Sequence, residues 1–225
     1  MLFKVKNTQV YLLASMHLLP KEWKVLPPST IEAYRQSEFC VFEDNPIKSI
    51  YPYPPMKNDR NIFYPWIQSI IKTNELAKEL GLFPEYGIDL QLFNKAIADQ
   101  KKISYLDEEN ACNAFAQAPI KEQELMLDIT LNHPEKIKSL LNEIYSAWRE
   151  WNIASLAELL NIQVSMCPEL HKRLVTTRNL AWSPKIISTI TNGASAIITF
   201  GALHFLGVDG ICHQIEDHGH HLEKL

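Results

Sequence analysis

Short apolar runs along this chain alternate with longer stretches in which apolar residues recur every three or four positions. The runs have the length and pattern of buried strands. They predict strands over residues 2–6, 9–14, 39–42, 103–106 and 195–200, with an edge strand over residues 220–224. The first two strands are separated by Asn7-Thr8 and are predicted to form a hairpin.

The helical period dominates the middle of the chain. It predicts helices over residues 29–37, 66–80, 90–100, 108–116, 120–131, 134–151, 155–161, 169–181, 184–192 and 207–217. Residues 45–65 are rich in Pro, Tyr and Asn and are predicted as an irregular loop. We therefore expect one α/β domain over residues 1–225, with a central mixed sheet flanked by helices. A mostly helical insertion over residues 110–192 is expected to cap the strand ends.

Two copies of a short pattern follow strand-like runs near opposite ends of the chain. The first reads ASMHLL over residues 14–19, and the second reads GALHFL over residues 201–206. Ligands bind beyond the carboxyl ends of parallel strands, so the pattern predicts that His17 and His204 share a site. The alternative is two unrelated histidines, each satisfied by backbone groups.

An acidic pair, Glu43-Asp44, also follows a strand directly. Two histidines and one carboxylate form a common catalytic metal set, so His17, Glu43 and His204 are candidate ligands of Mn²⁺, Co²⁺ or Zn²⁺. Asp44 alone is better explained as a turn residue. Such a metal can lower the pKa of bound water to about 7.

Further candidates lie on predicted helices and at another strand end. Arg178 is predicted to face a carboxylate ligand or a developing oxyanion, with Asn179 orienting it, although an arginine on a helix is often simply solvated. Asp107, which follows the fourth strand, is a weaker candidate. Asp89, after Tyr86-Gly87-Ile88, is most simply a helix cap.

Composition narrows the class of protein. The formal net charge of −4 offers no electrostatic basis for binding nucleic acid. No apolar stretch approaches the roughly 20 residues that span a bilayer, so we expect no membrane insertion. The first residues contain no hydrophobic region of signal-peptide length, and we expect a cytoplasmic protein. The four cysteines form no CxxC pair and are expected to be free thiols.

Five segments together resemble the TraB/GumN family. They are YLLASMHLLP (11–20), FED (42–44), YGID (86–89), Arg178-Asn179 with Trp182, and FGALHFLGVDG (200–210). This family is grouped with TIKI-type proteins and, more distantly, with erythromycin esterase and ChaN-like proteins. The resemblance implies an α/β sheet with a helical insertion and a shared site of His17, Glu43 and His204, with Arg178 and Asn179 beside it.

Two positions depart from the family pattern. Ala14 stands where the family has Gly, and an alanine there would be strained if the position requires a positive φ. Asp107 stands where many relatives have Glu, which has a longer side chain.

Three functions are consistent with these residues. TIKI members are described as metal-dependent proteases, which implies a hydrolase that cleaves a peptide or small ester with metal-activated water. The erythromycin esterase resemblance implies the same residues without metal, with a histidine–acid pair deprotonating water. TraB members are described as pheromone-shutdown proteins, and with the ChaN-like relatives they imply a binding protein that sequesters a peptide, haem or metal. The sequence does not indicate the oligomeric state.

Overall fold

The structure is a computed structural model that describes residues 1–47, 64–107 and 112–225. Its strands are β1 (Leu2–Val5), β2 (Gln9–Ser15), β3 (Phe39–Phe42), β4 (Lys102–Tyr105), β5 (Ser195–Gly201) and β6 (Leu222–Lys224). They form one mixed sheet in the order β4-β3-β5-β2-β1-β6. The expected α/β fold with a central mixed sheet is confirmed.

The sheet is parallel where its strands are most buried. Strand β5 pairs in parallel with β2 and with β3, and β3 pairs in parallel with β4. In this register Ser15 lies opposite Gly201, and Phe42 lies opposite Thr199. The carboxyl ends of these four strands therefore lie along one edge of the sheet. The predicted hairpin of β1 and β2 and the antiparallel edge strand β6 are also present.

Helices follow or cover the strands. They are α1 (Pro28–Gln36), α2 (Pro65–Glu79), α3 (Ile88–Ala98), α4 (Cys112–Ala116), α5 (Ile120–Asn132), α6 (Pro134–Glu150), α7 (Ile153–Met166), α8 (Pro168–His171), α9 (Thr177–Thr191) and α10 (Ile211–Asp217). A π-helical turn, Lys172–Thr176, joins α8 to α9. The described chain between β4 and β5 thus has no strand of its own. No helix in the described segments is long and apolar enough to cross a bilayer.

Some predicted boundaries are wrong. The expected break before Pro184 is absent, because α9 runs through this proline. Proline removes the hydrogen bond to the carbonyl four residues earlier, that of Leu180, and Leu180 lies on the exposed side of the helix, 58% exposed. Most of the predicted loop over residues 45–65, and the start of the predicted helix over residues 108–116, lie outside the described residues.

The alanine that replaces a family glycine is not strained. Ala14 lies inside β2, fully buried, and pairs in register with Phe200. The described non-glycine residues with positive φ are Asn7, Gln100 and Trp151, so Ala14 keeps ordinary strand geometry. A glycine is not required at this position of the chain.

Candidate functional site

Three strand ends bring polar side chains to one point. A β-carbon built on Gly201 would lie 3.6 Å from each of Nε2 of His17, Oε2 of Glu43 and Cδ2 of His204. Any two of these atoms are therefore no farther apart than twice that distance. We call this space, which the missing side chain of Gly201 leaves open, the Gly201 cleft. The two histidines, almost the whole chain apart in sequence, border the same cleft.

His17 is oriented by a carboxylate from α3. Its Nδ1 lies 2.9 Å from Oδ2 of Asp89, and Oγ of Ser15 donates a hydrogen bond of 2.8 Å to the other oxygen of Asp89. The negative charge of Asp89 raises the pKa of His17 above its ordinary value. Nδ1 is thus occupied by Asp89, and Nε2 faces the cleft. The His17 side chain is 55% exposed, so solvent can reach it.

Close backbone packing places α3 against His17. A β-carbon on Gly87 would lie 2.5 Å from the backbone oxygen of His17. The adjacent Ile88 amide donates to the carbonyl of Met16 at 3.2 Å. Only glycine permits this approach, which brings Asp89 within hydrogen-bonding distance of His17.

His204 is buried and neutral. It lies in the helical turn Ala202–Phe205 after β5, 6% exposed, and its Nδ1 lies 2.7 Å from Oδ1 of Asn179. Burial lowers the pKa of His204 to about 3, and the nearby Arg178 charge acts in the same direction. A neutral imidazole that donates from Nδ1 to an amide oxygen keeps the lone pair on Nε2 available. Nε2 lies 4.0 Å from Oε1 of Glu43.

Glu43 is held as a carboxylate. Burial alone would raise its pKa, but the Arg178 guanidinium, assisted by the backbone amide of Gly201, holds the pKa of Glu43 well below its usual range. Nη2 of Arg178 donates to Oε1 of Glu43, and the Gly201 amide donates to Oε2 at 3.0 Å. Glu43 therefore carries a full negative charge beside the cleft at neutral pH.

Arg178 is itself held by several groups. Its Nη2 donates to Oδ2 of Asp107 at 2.8 Å, and its Nη1 donates to the carbonyl of Leu174 at 3.0 Å. Trp182 donates to Oδ1 of Asp107 at 2.6 Å, and its ring lies 4.5 Å from the guanidinium carbon of Arg178. The arginine is shared between Glu43 and Asp107 and is fixed on both sides.

A pocket of about 530 Å³ opens onto these residues. Its polar end contains His17, Glu43, Arg178 and His204. The rest of its wall is mostly apolar and comes largely from helices of the described chain between β3 and β5. A volume of this size is typical of a small-molecule site.

The types of residue at the cleft suit a divalent metal ion, but the distances between them do not. In both histidines one ring nitrogen is held by a neighbouring oxygen, the arrangement that orients metal-bound histidines. However, Arg178 bridges the gap between His204 and Glu43, with Nη1 3.5 Å from Nε2 of His204. No group of three His, Cys, Asp or Glu within the described segments has the spacing of a formed metal site. Arg178 must shift for an ion to bind both ligands.

The sequence does not identify Asp89 as a site residue, and it predicts a different contact for Asn179. Asp89, predicted as a helix cap, instead contacts His17. The sequence feature that could have identified Asp89 is the YGID segment, in which Gly87 and Asp89 flank the first residue of α3. Asn179, predicted to orient Arg178, contacts His204 and the carbonyl of Asp209. Asp44 lines the pocket, and Asp107 contacts Arg178.

The fold and the site define an α/β protein with two histidines and one carboxylate at the carboxyl ends of parallel strands. The chain belongs to the TraB/PrgY/gumN family, which matches residues 53–224. It is 31% identical over 143 residues to the proteins named Uncharacterized protein YbaP of Escherichia coli and Shigella flexneri. The alignment covers 63% of this chain and 52% of each relative, so the chain spans about half their length. No solved structure shows significant similarity.

The family match covers only part of the site. Arg178, Asn179 and His204 fall inside the matched residues, whereas His17 and Glu43 precede them. The two N-terminal residues enter the site through the register of β2 and β3 with β5. The wider links to TIKI, erythromycin esterase and ChaN-like proteins stay predictions.

Proposed function

We propose that this protein is a hydrolase that cleaves a peptide or small ester bond at the Gly201 cleft. The observation that carries the proposal is that His17, Glu43 and His204 each have an atom 3.6 Å from the place where a β-carbon on Gly201 would lie, so all three border the same small space. His17 and His204 each have one ring nitrogen held by an oxygen, so their orientation is set before substrate binds. Preorganised groups of this kind favour catalysis because they need little rearrangement during the reaction.

Each residue has a role in this proposal. The carboxylate of Asp89 holds Nδ1 of His17, and Nε2 would accept a proton from water in the cleft once it has lost its own proton. Glu43 and neutral His204 would orient that water, and Arg178 would hold Glu43 in its ionised form. Because Arg178 is already shared between two carboxylates, we assign it a positioning role.

The sequence favours a form of this mechanism that depends on a divalent metal ion. His17, Glu43 and His204 would hold Mn²⁺, Co²⁺ or Zn²⁺, once Arg178 has moved away from His204. When bound, such an ion supplies a Lewis acid that activates water near neutral pH. The competing form uses the His17–Asp89 pair alone as the base, and the short contact between these residues favours it.

The test combines metal dependence with paired histidine variants. Protein purified without a His-tag or a nickel column is analysed for metal, then assayed on peptides and esters with Mn²⁺, Co²⁺ or Zn²⁺, or with a chelator. We expect His17→Ala and His204→Ala to lose most of the turnover. His213→Ala is the matched control, because His213 is 50% exposed and pairs with Asp217 on the surface.

The outcomes separate the alternatives. Turnover restored by metal supports the metal-dependent form, and turnover that survives exhaustive chelation supports the metal-free form. Unchanged turnover in both site variants would contradict the proposal. Tight stoichiometric binding of a peptide, haem or metal without product would favour a sequestering protein instead.

A sharper variant is Gly201→Ala. The added β-carbon would meet its neighbours at 3.6 Å, an ordinary contact distance, and Gly201 has φ −56°, so alanine is not strained. We expect thermal stability to be unchanged or slightly higher, while turnover falls at least tenfold because the methyl group fills the cleft. Normal activity in a stable Gly201→Ala protein would show that the cleft is not the reaction site.

A further inference from the structure

The pocket beyond the cleft is apolar on several sides. Residues from six different helical segments contribute aliphatic, aromatic or thioether side chains to its wall. They are Ile70 of α2, Phe115 of α4, Met126 of α5, Ile144 of α6, Leu156 of α7 and Val175 of the π-helical turn. A wall assembled from several segments can contact a ligand on more than one side, whereas a single apolar helix face would only provide a flat surface.

The charges around the pocket disfavour an anionic ligand. Among the residues that the structure describes, three carboxylates line it, namely Glu43, Asp44 and Asp89. Arg178 is the permanent cation among the described lining residues, and its guanidinium is already engaged by Glu43 and Asp107. The charge of a protonated His17 is directed at Asp89. A carboxylate or phosphate on the substrate would therefore meet negative charge without an uncommitted cation in this lining.

We propose that the substrate is a neutral ester or amide whose apolar acyl group, of medium length, occupies this pocket. This inference rests on the hydrolase proposed above. The carbonyl would lie at the Gly201 cleft, and the acyl chain would extend toward Ile144 and Val175. A volume of about 530 Å³ lies within the range that holds such a group.

The reaction balances without any further reagent. The oxygen of water bonds to the carbonyl carbon, the bond from that carbon to the ester oxygen or amide nitrogen breaks, and the leaving alcohol or amine takes a proton from the water. The products are a carboxylic acid and an alcohol or amine. The acid ionises near neutral pH, and the surrounding carboxylates then repel it from the pocket.

Chain length and charge can be tested separately. Turnover is measured on p-nitrophenyl esters from acetate to dodecanoate, and kcat/KM is expected to rise about two- to fourfold per methylene until the pocket is full. Mono-p-nitrophenyl glutarate is compared with p-nitrophenyl pentanoate, which has the same chain length without the carboxylate. We expect the anionic ester to react at least tenfold more slowly.

A variant inside the pocket tests its location. Ile70→Trp is expected to shorten the preferred chain and to lower kcat/KM for the decanoate ester at least fivefold more than for the acetate ester. Ile97→Trp is the matched control, because Ile97 is 57% exposed on α3 and does not line the pocket. An equal response of both variants would contradict the assignment.

Binding without turnover separates this inference from the hydrolase proposal. Calorimetry compares octanamide with octanoate, and we expect octanamide to bind more tightly and Ile70→Trp to weaken it. If octanamide binds in this way but no ester or amide is cleaved, the ligand class stands and the hydrolase proposal fails. If esters are cleaved with no preference for length or charge, the hydrolase stands and this inference is overturned.

Discussion

At the scale of single residues, the two histidines have opposite environments despite their similar sequence context. His17 is half exposed and contacts a carboxylate, whereas His204 is buried and contacts an amide. A carboxylate in contact with the ring stabilises the protonated imidazole of His17, whereas burial, assisted by the Arg178 charge, favours the neutral imidazole of His204. The histidines can therefore perform different tasks at the same cleft.

The His17 environment predicts a pKa change in Asp89→Asn. Removing the charge of Asp89 should lower the pKa of His17 toward its ordinary value, because that charge is the main cause of the rise. Because His17 acts as the base in the proposed reaction, the rising limb of activity should then move to lower pH. The measurement is an NMR titration of the His17 ring in metal-free protein. Asp217→Asn beside the exposed His213 is the control, and an unchanged His17 pKa would show that the contact is not formed in solution.

The His204 environment predicts a loss of stability in acid. The folded-state pKa of about 3 lies below the ordinary value near 6.5, so the unfolded chain takes up the proton first. This contribution is complete above about pH 6.5 and is lost as the pH falls toward 3. At pH 5 the loss is about 2 kcal/mol.

Urea unfolding at several pH values checks this slope with a chelator present. His204→Gln cannot titrate in this range and should show a flatter dependence between pH 6.5 and 4 than the parent protein. His213→Gln, which removes an exposed histidine, should keep the parental slope. Equal slopes in all three proteins would contradict a buried neutral His204.

The place of a single residue can be predicted from sequence where that residue closely follows a strand. An apolar run marks a buried parallel strand, and the polar residue after it must lie at the edge, which is why His17 and Glu43 could be chosen. Asp89 could not be chosen in the same way. It lies in the first turn of a helix, where an acidic residue has a local explanation, and only the close approach at Gly87 reveals its contact with His17.

At the scale of elements, the junction between the end of β2 and the start of α3 controls the geometry of the site. Gly87 packs on the backbone of His17, and Asp89 follows in the first turn of α3. The helix and the strand end therefore behave as one unit. Any change that separates them also moves the imidazole relative to its carboxylate.

Gly87→Ala tests this junction. Its β-carbon would overlap the His17 backbone oxygen at 2.5 Å, and backbone cannot move away as a flexible side chain can. We expect a loss of about 1–3 kcal/mol in the free energy of unfolding and a larger loss of turnover. Gly201→Ala is the comparison, because it meets no contact closer than 3.6 Å. Similar stability losses in both variants would refute the distinction.

The bounds of α9 show why local sequence patterns do not suffice to predict where a helix begins. The sequence predicts a helix that begins at Pro184, yet α9 continues through this proline from Thr177 to Thr191. Trp182, one turn from the Arg178 end of the same helix, is fully buried and contacts Asp107. Tertiary contacts of this kind stabilise a helix more than a single missing hydrogen bond weakens it. The sequence alone does not reveal them.

At the scale of the whole molecule, the helical middle is attached to the sheet near the site. Trp148 of α6 is 3% exposed and donates a hydrogen bond of 3.0 Å to the carbonyl of Ala14 in β2. Its ring also lies 5.0 Å from that of Trp23. The Trp148 side chain thus connects the pocket wall to β2, the strand that precedes His17.

Trp148→Phe should weaken this attachment. The substitution removes the hydrogen bond and leaves part of the ring volume empty, so we expect a loss of about 1–3 kcal/mol in the free energy of unfolding. Chemical denaturation gives the value. Trp151→Phe, a neighbouring buried tryptophan with no hydrogen bond to β2 among the described contacts, is the control. A smaller loss at Trp148 than at Trp151 would contradict the proposed attachment.

The sequence predicted the strands and the class of fold, but not the order of strands in the sheet. That order depends on which apolar faces pair, and β3 and β2 have similar apolar patterns. The structure inserts β5 between them, so that the last parallel strand of the chain contacts both earlier ones. This central position brings Gly201 beside both N-terminal residues of the cleft.

The central place of β5 has a consequence for biosynthesis. During translation the ribosome releases β2 and β3 long before β5 exists, and contacts between such distant segments form slowly. Until β5 is synthesised, β2 and β3 each have an unpaired edge beside apolar side chains, and such a state is prone to aggregation. The Gly201 cleft therefore cannot form until the final parallel strand pairs with both of them.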